Sequence, residues 1–105
     1  MTFQQIDTDQ VKNLIEEKDV EIVDIRDFTA YGSAHIMNAR HLSDGNVQEF
    51  LNSADKSKPL VVYCYHGHTS RGAAEYFVNS GFQNVYSIDG GFEAWRAKHP
   101  VEASE

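Results

Sequence analysis

Leu60-Val61-Val62-Tyr63-Cys64-Tyr65-His66-Gly67-His68-Thr69-Ser70-Arg71 is the stretch from which the rest of the chain can be read. Its first four residues are apolar and read as a buried strand. The residues after it, Gly72 to Val78, read as a helix with Ala74, Phe77 and Val78 on one face. A strand that turns sharply into a helix leaves several backbone N–H groups without intrahelical partners. Together with the helix dipole, those groups make an anion site. The only cysteine of the protein sits at its rim. A thiol so placed favours the thiolate, with a pKa of roughly 3.5 to 7.5 instead of the free value. Cys64 is therefore the candidate nucleophile, in a cradle of amides.

An isolated cysteine at the end of a buried strand is ordinarily a small hydrophobe. Two features argue for chemistry here. The loop from His66 to Ser70 is polar and contains a glycine, which an inert core thiol would not need. Charge placement agrees: from Lys56 to Ala74 there is no Asp or Glu, in a chain with 16 acids and 9 bases. Lys56, Lys58, His66, His68 and Arg71 lie in that window. An acidic protein that clears acids from one loop keeps it for an anion.

The 105 residues fit one domain, 1–105, with a modest core, and the segment after about Pro100 is expected to fray. A net charge of −7 argues against nucleic acid and anionic membrane as partners. The start, Met1 to Asp7, has no basic region followed by an apolar one, so no secretory signal is expected. No apolar run approaches the roughly 20 residues of a membrane span. One cysteine makes no intrachain disulfide, and an exposed thiolate lasts best in a reducing compartment. A cytoplasmic protein is expected.

Outward from the cysteine loop, helices and strands alternate. Asp7 and Gln10 form the pattern of a capping box, followed by Val11, Leu14 and Ile15 at helical spacing, to an end near Glu17 or Lys18. Glu21 to Ile25 reads as a strand, Phe28 to Gly32 as a short helix stopped by glycine, and Ala39 to Leu42 as a short strand. Val47, Phe50 and Leu51 suggest a helix closing around Ala54. Gly81 should cap the helix after the cysteine loop. Asn84 to Ile88 reads as a strand, broken by Asp89-Gly90-Gly91, and Phe92 to Ala97 as a last helix with Phe92 and Trp95 in the core. The pattern predicts an α/β fold, a central parallel sheet with helices on both faces. In such sheets ligands bind beyond the carboxyl ends of strands, where Cys64 lies.

Three stretches carry a resemblance. Val23-Asp24-Ile25-Arg26-Asp27, with Tyr31, Ala34-His35-Ile36 and Ala39-Arg40-His41-Leu42, resembles the N-terminal signature of rhodanese-like domains. Val85 to Trp95 resembles their C-terminal signature, and Cys64-Tyr65-His66-Gly67-His68-Thr69 their active-site loop of six residues. The motifs follow in order over nearly the whole chain, and the Cys-Tyr-His-Gly start is most similar to the small single-domain GlpE-type sulfurtransferases of bacteria. The family usually has glycine at positions 34 and 38, so Ala34 and Asn38 raise the question of a left-handed backbone there. Ala30 stands where larger two-domain members have a basic residue, leaving anion binding mainly to the loop.

The resemblance implies a thiosulfate:cyanide sulfurtransferase that needs no cofactor and no metal. Cys64 would take the outer sulfur of thiosulfate as a persulfide, release sulfite, and pass the sulfur to cyanide, small thiols or thioredoxin-like dithiol proteins. The loop amides from Tyr65 onward would hold the sulfur, with Gly67 letting the backbone curl. Thr69 and Ser70 either donate hydroxyls or cap the following helix. His66 and His68 add positive potential or line the mouth, and Arg71 is the natural partner for a sulfonate. Asp24 and Arg26 look like a buttressing ion pair, and His35 and His41 like structural hydrogen-bonders. Three other readings stay open. A cysteine phosphatase needs arginine at position 70, where this chain has Ser70. A non-catalytic sulfur carrier would be loaded by protein partners. A metal site from Cys64, His66, His68 and His35 would struggle to close a tetrahedron.

Overall fold

Neighbouring residues on a strand point to opposite faces, so pairs such as Ile22-Val23 and Val61-Val62 must supply two separate cores. The computed structural model describes residues 2–103. In chain order the first half comprises β1 (Gln4–Ile6), α1 (Thr8–Glu17), β2 (Glu21–Asp24), α2 (Phe28–Ser33), β3 (His35–Ile36) and β4 (Arg40–His41). The second half comprises α3 (Val47–Ser53), β5 (Leu60–Tyr63), α4 (Thr69–Asn79), β6 (Val85–Ile88), α5 (Gly91–Arg96) and β7 (Val101–Glu102).

Five strands form a parallel sheet in the order β1-β6-β5-β2-β4. The strand before Cys64 is the middle one. All four of its residues are buried, which matches the apolar run expected of a strand covered on both faces. Ile22, Val61, Tyr63 and Ile88 meet Val11 of α1 and Phe92 and Trp95 of α5 on one side. Val23, Leu60, Val62 and Val85 meet Phe50 of α3 and Phe77 of α4 on the other. Helices thus cover both faces, as the sequence predicts. Among the described residues, no helix is long and apolar enough to cross a membrane.

The helix ends follow local chemistry. Asp7 accepts the Gln10 N–H at 2.8 Å while its own N–H donates to the Gln10 side chain at 2.9 Å, completing the capping box. Past the end of α4, Gly81 takes a φ of 108° that lets the N–H groups of Gly81 and Phe82 return to Val78 and Phe77. Asn38 takes a left-handed φ of 69°, whereas Ala34 at −168° is plain extended chain with no strain.

Some expectations need correction. Gly32 does not stop α2, which runs on to Ser33 before the chain straightens into β3. α4 starts at Thr69, three residues before the expected Gly72, because Ser70 and Arg71 already turn into it. Val101–Glu102 does not fray but pairs antiparallel with β3. The Trp95 indole donates to the Pro100 carbonyl at 3.1 Å and aims the chain back at that strand, and the Glu102 carboxylate accepts the Asn38 N–H at 2.9 Å. The rest of the expected frayed tail, residues 104–105, lies outside the described residues.

Phe77 packs edge-on against both Phe50 and Phe82, whose rings stack on each other 5.8 Å apart. Phe77→Ala should therefore cost about 3–5 kcal/mol of unfolding free energy. Urea denaturation measures it; a loss under about 1 kcal/mol would mean that this aromatic cluster does not hold α4 to the sheet.

Candidate active site

Cys64 leaves the middle strand with its thiol buried and its backbone turned toward α5. Its carbonyl accepts the N–H of Phe92 at 2.8 Å, and the Tyr65 carbonyl accepts that of Glu93 at 3.1 Å. The bond to the Tyr65 carbonyl leaves the His66 N–H, which shares that peptide unit, on the opposite side of the chain. Gly67 and Ser70 each donate a backbone N–H to Cys64 Sγ at 3.2 Å.

Two glycines make this approach possible. At Gly67, with φ of 90°, a Cβ would stand 2.9 Å from the Ile88 carbonyl oxygen. At Gly91, with φ of 62°, it would stand 2.6 Å from the Cys64 carbonyl oxygen and 2.7 Å from the amide nitrogens of His66 and Gly67. The Gly90-Gly91 turn is thus the bed on which the cysteine loop lies. The sequence showed it only as a break after a strand.

Burial pushes the Cys64 thiol up. The Ser70 hydroxyl and the amides of Ser70, Gly67 and His66 outweigh that effect and leave it below its ordinary value. Neutral donors produce this shift. Arg71 makes its polar contact elsewhere: its guanidinium donates to His68 Nδ1 at 2.8 Å on the exposed rim. His66 and Thr69 are also exposed there. The loop therefore collects Cys64, Gly67 and Ser70 at the sulfur, with His66, His68, Thr69 and Arg71 around the mouth.

Thr69 and Ser70 do not cap α4, whose cap residue is His68 without a side-chain bond. Ser70 is fully buried, and its hydroxyl meets that of Ser87 at 2.8 Å. Arginine at this position, as a phosphatase loop requires, would have to fit where Ser87 stands. Tyr65 turns outward and donates its hydroxyl to Asp27 at 2.6 Å. That bond, with the Ala30 N–H, holds the Asp27 carboxyl below the usual range. Asp27 and Ser87 are contacts the sequence reading missed. A serine in an otherwise apolar strand was the available signal for the second.

Asp24 and Arg26 form a buried pair below the loop. Arg26 donates to both carboxylate oxygens, at distances from 2.6 to 3.1 Å, and to the Ala34 carbonyl at 2.6 Å. Its guanidinium lies over the Phe92 ring, 4.0 Å from the centroid. The pair therefore joins the end of β2 to the helix on which the loop rests. His35 Nδ1 bonds the Tyr31 carbonyl and His41 Nε2 that of Arg26, so both histidines are structural.

Gly91→Ala is expected to lower stability by about 1–3 kcal/mol through backbone strain alone. It should also raise the pH midpoint of Cys64 alkylation, because the added Cβ pushes on the amides of His66 and Gly67. A variant with unchanged melting temperature and midpoint would refute this account of the loop's bed.

The comparisons with known proteins agree with this geometry. The family model described as rhodanese-like domain matches residues 7–98. The chain is 48% identical over 103 residues to thiosulfate sulfurtransferase GlpE of Vibrio cholerae, covering 97% of each chain. It is 47% identical over 103 residues to thiosulfate sulfurtransferase GlpE of Pseudomonas aeruginosa, covering 98% of this chain and 93% of that one. Among solved structures, a rhodanese-like domain protein from Staphylococcus aureus superposes with a TM-score of 0.83 at 29% identity, over 98% of this chain and 100% of the other. A parallel sheet whose middle strand delivers a lone cysteine into a loop of inward amides, matched along nearly its whole length by that family model, places this chain in the rhodanese-like domain family.

Proposed function

We propose that the protein is a thiosulfate sulfurtransferase that carries sulfur on Cys64. The observation behind this reading is the thiol itself: buried, below its ordinary pKa, and facing two backbone N–H donors. Thiolate Cys64 attacks the outer sulfur of thiosulfate. A Cys64 S–S bond forms as the thiosulfate S–S bond breaks, and the electron pair leaves with sulfite. The persulfide keeps one negative charge at the sulfur now outermost. An acceptor anion such as cyanide, or a thiolate, then bonds that sulfur and returns the electron pair to Cys64.

The loop N–H groups serve in both half-reactions, as an oxyanion hole serves an oxygen. They hold the thiolate before transfer and the persulfide after it. Their bonds are already formed, so little reorganisation is needed. Arg71, His66, His68 and Thr69 on the rim receive the sulfonate end of thiosulfate. Thioredoxin-like dithiol proteins are proposed acceptors beside cyanide and small thiols, in the reducing cytoplasm. The chain acts as one domain, and no cofactor enters these steps.

The reading as a sulfur carrier loaded only by protein partners differs in one measurable respect. A catalyst takes sulfur from free thiosulfate. The intact mass after thiosulfate treatment should rise by one sulfur atom, confined to Cys64 and removed by cyanide. Cys64→Ser should abolish both the mass gain and thiocyanate formation, since a hydroxyl neither ionises here nor holds sulfane sulfur. A protein that stays unmodified by thiosulfate yet accepts sulfur from a protein persulfide would favour the carrier.

The ionisation of Cys64 gives an independent check. Its folded pKa is lowered, so the thiolate persists as pH falls past the ordinary thiol range and is protonated only below it. Alkylation by iodoacetamide should stay fast well below pH 8, against about 8.5 for a free thiol. Because Arg71 bonds His68 and not the sulfur, Arg71→Ala should shift that midpoint little and weaken apparent thiosulfate binding instead. A midpoint at or above about 8.5 would mean that a general base must activate the thiol.

A further inference from the structure

Ser70 and Ser87 are fully buried. Their hydroxyls stand 2.8 Å apart, between the first turn of α4 and the sheet. Ser87 follows Tyr86 in a strand whose other members, Val85 and Ile88, pack in the apolar cores. A hydroxyl in such a place loses water and must recover its hydrogen bonds inside the protein. Among the described residues, no buried side-chain nitrogen or oxygen is left without a partner.

Counting protons gives the pair a direction. Each hydroxyl has one proton to donate. If Ser70 donates to Ser87, the Ser87 proton has no acceptor among the described residues, since Ser70 is its only hydrogen-bond partner. If Ser87 donates to Ser70, the Ser70 proton is free to turn toward the thiolate, whose sulfur takes the N–H of the same residue at 3.2 Å, although the bond the Ser70 hydroxyl makes in the structure is the one to Ser87. Only the second orientation leaves the remaining proton on the residue whose N–H already meets the sulfur. We propose that Ser87 is a positioning residue for sulfur transfer, donating to Ser70 so that the Ser70 hydroxyl is aimed at Cys64 Sγ.

This rests on the reading of Cys64 as the sulfur-carrying nucleophile. The hydroxyl of Ser70 is among the groups that hold the thiol down against burial. Charged neighbours have other partners or stand on the rim. Asp24 is paired with Arg26 at the end of β2, Asp27 with Tyr65, Glu93 of α5 with Arg96, and Arg71 of α4 with His68. The Tyr63 hydroxyl accepts the Ile36 N–H, and the side chains of His66 in the loop and of Tyr86 and Asp89 in and after β6 make no hydrogen bond to Cys64, Ser70 or Ser87 among the described residues. Removing a hydroxyl from the serine pair therefore leaves every one of these charges in place.

The test is the pH dependence of Cys64 alkylation by iodoacetamide, which needs no sulfur transfer and so can fail independently of the proposed activity. Ser87→Ala should raise the midpoint by about half a unit to one unit, the worth of one hydrogen bond. Ser70→Ala, which keeps its amide on the sulfur, should raise it at least as much. The double variant should match Ser70→Ala, because Ser87 acts only through that hydroxyl. An unchanged midpoint in folded Ser87→Ala, whatever its melting temperature, overturns the proposal. A Ser87→Ala shift that persists undiminished in the Ser70→Ala background also overturns it. If Ser87→Ala does not fold, Ser70→Ala decides: a raised midpoint supports the aimed hydroxyl, and an unchanged one refutes it.

Discussion

The structure depends on two backbone bonds, from the N–H groups of Phe92 and Glu93 to the carbonyls of Cys64 and Tyr65. A peptide unit with its carbonyl held on one side presents its N–H on the other. By holding the Tyr65 carbonyl, the first turn of α5 leaves the His66 N–H of the same peptide unit on the sulfur's side, next to the Gly67 N–H that bonds the sulfur. The first turn of α4 completes the arrangement through the Ser70 N–H. An anion cradle thus forms at the end of a buried strand without a charged side chain beside the sulfur. The closeness of the two backbones explains why glycine stands at 67 and 91, each with positive φ, while a Cβ at Gly90 would run into Ala94.

Neutral donors suit a sulfur that must be both held and released. A contacting cation would hold the thiolate more tightly, and it would also oppose transfer of anionic sulfur to the acceptor. Amides and a hydroxyl favour the anion through short, directed bonds and follow it as the charge moves from one sulfur to the next. The cationic groups stay at the rim, where solvent weakens their pull on the sulfur. The absence of carboxylates between Lys56 and Ala74 works with this design by leaving no competing anion in the loop.

The buried charge pair near the site, Asp24 and Arg26, has a different duty. Removing either partner of such a pair leaves an uncompensated charge, at about 3–5 kcal/mol. Arg26 is held by the Asp24 carboxylate, by the Ala34 carbonyl and by the face of Phe92. It therefore fixes α5 relative to the middle of the sheet. The loop depends on that helix for its shape, so the pair supports the thiol without touching it.

Much of this was legible in the residues. The apolar run before Cys64, the capping box at Asp7 and the glycine at 81 each declare their structure because their causes lie within a few neighbouring positions. The candidate nucleophile, the inward curl at Gly67 and the pairing of Asp24 with Arg26 could be read for similar reasons or from the resemblance. Strands of two or three residues, such as β1, β3 and β7, carry too little periodicity to be recognised, and only their partners bring them into register. Contacts between distant positions were equally hidden: Gly91 under the cysteine loop, Tyr65 on Asp27, and Ser70 against Ser87. The amino-acid sequence by itself determined the order of elements and the placing of a thiol at the mouth of an anion site, since hydrophobic period and turn chemistry act locally. Tertiary structure alone decided which groups touch the sulfur and which stay on the rim, because hydrogen bonds are short-ranged and depend on how the elements come together.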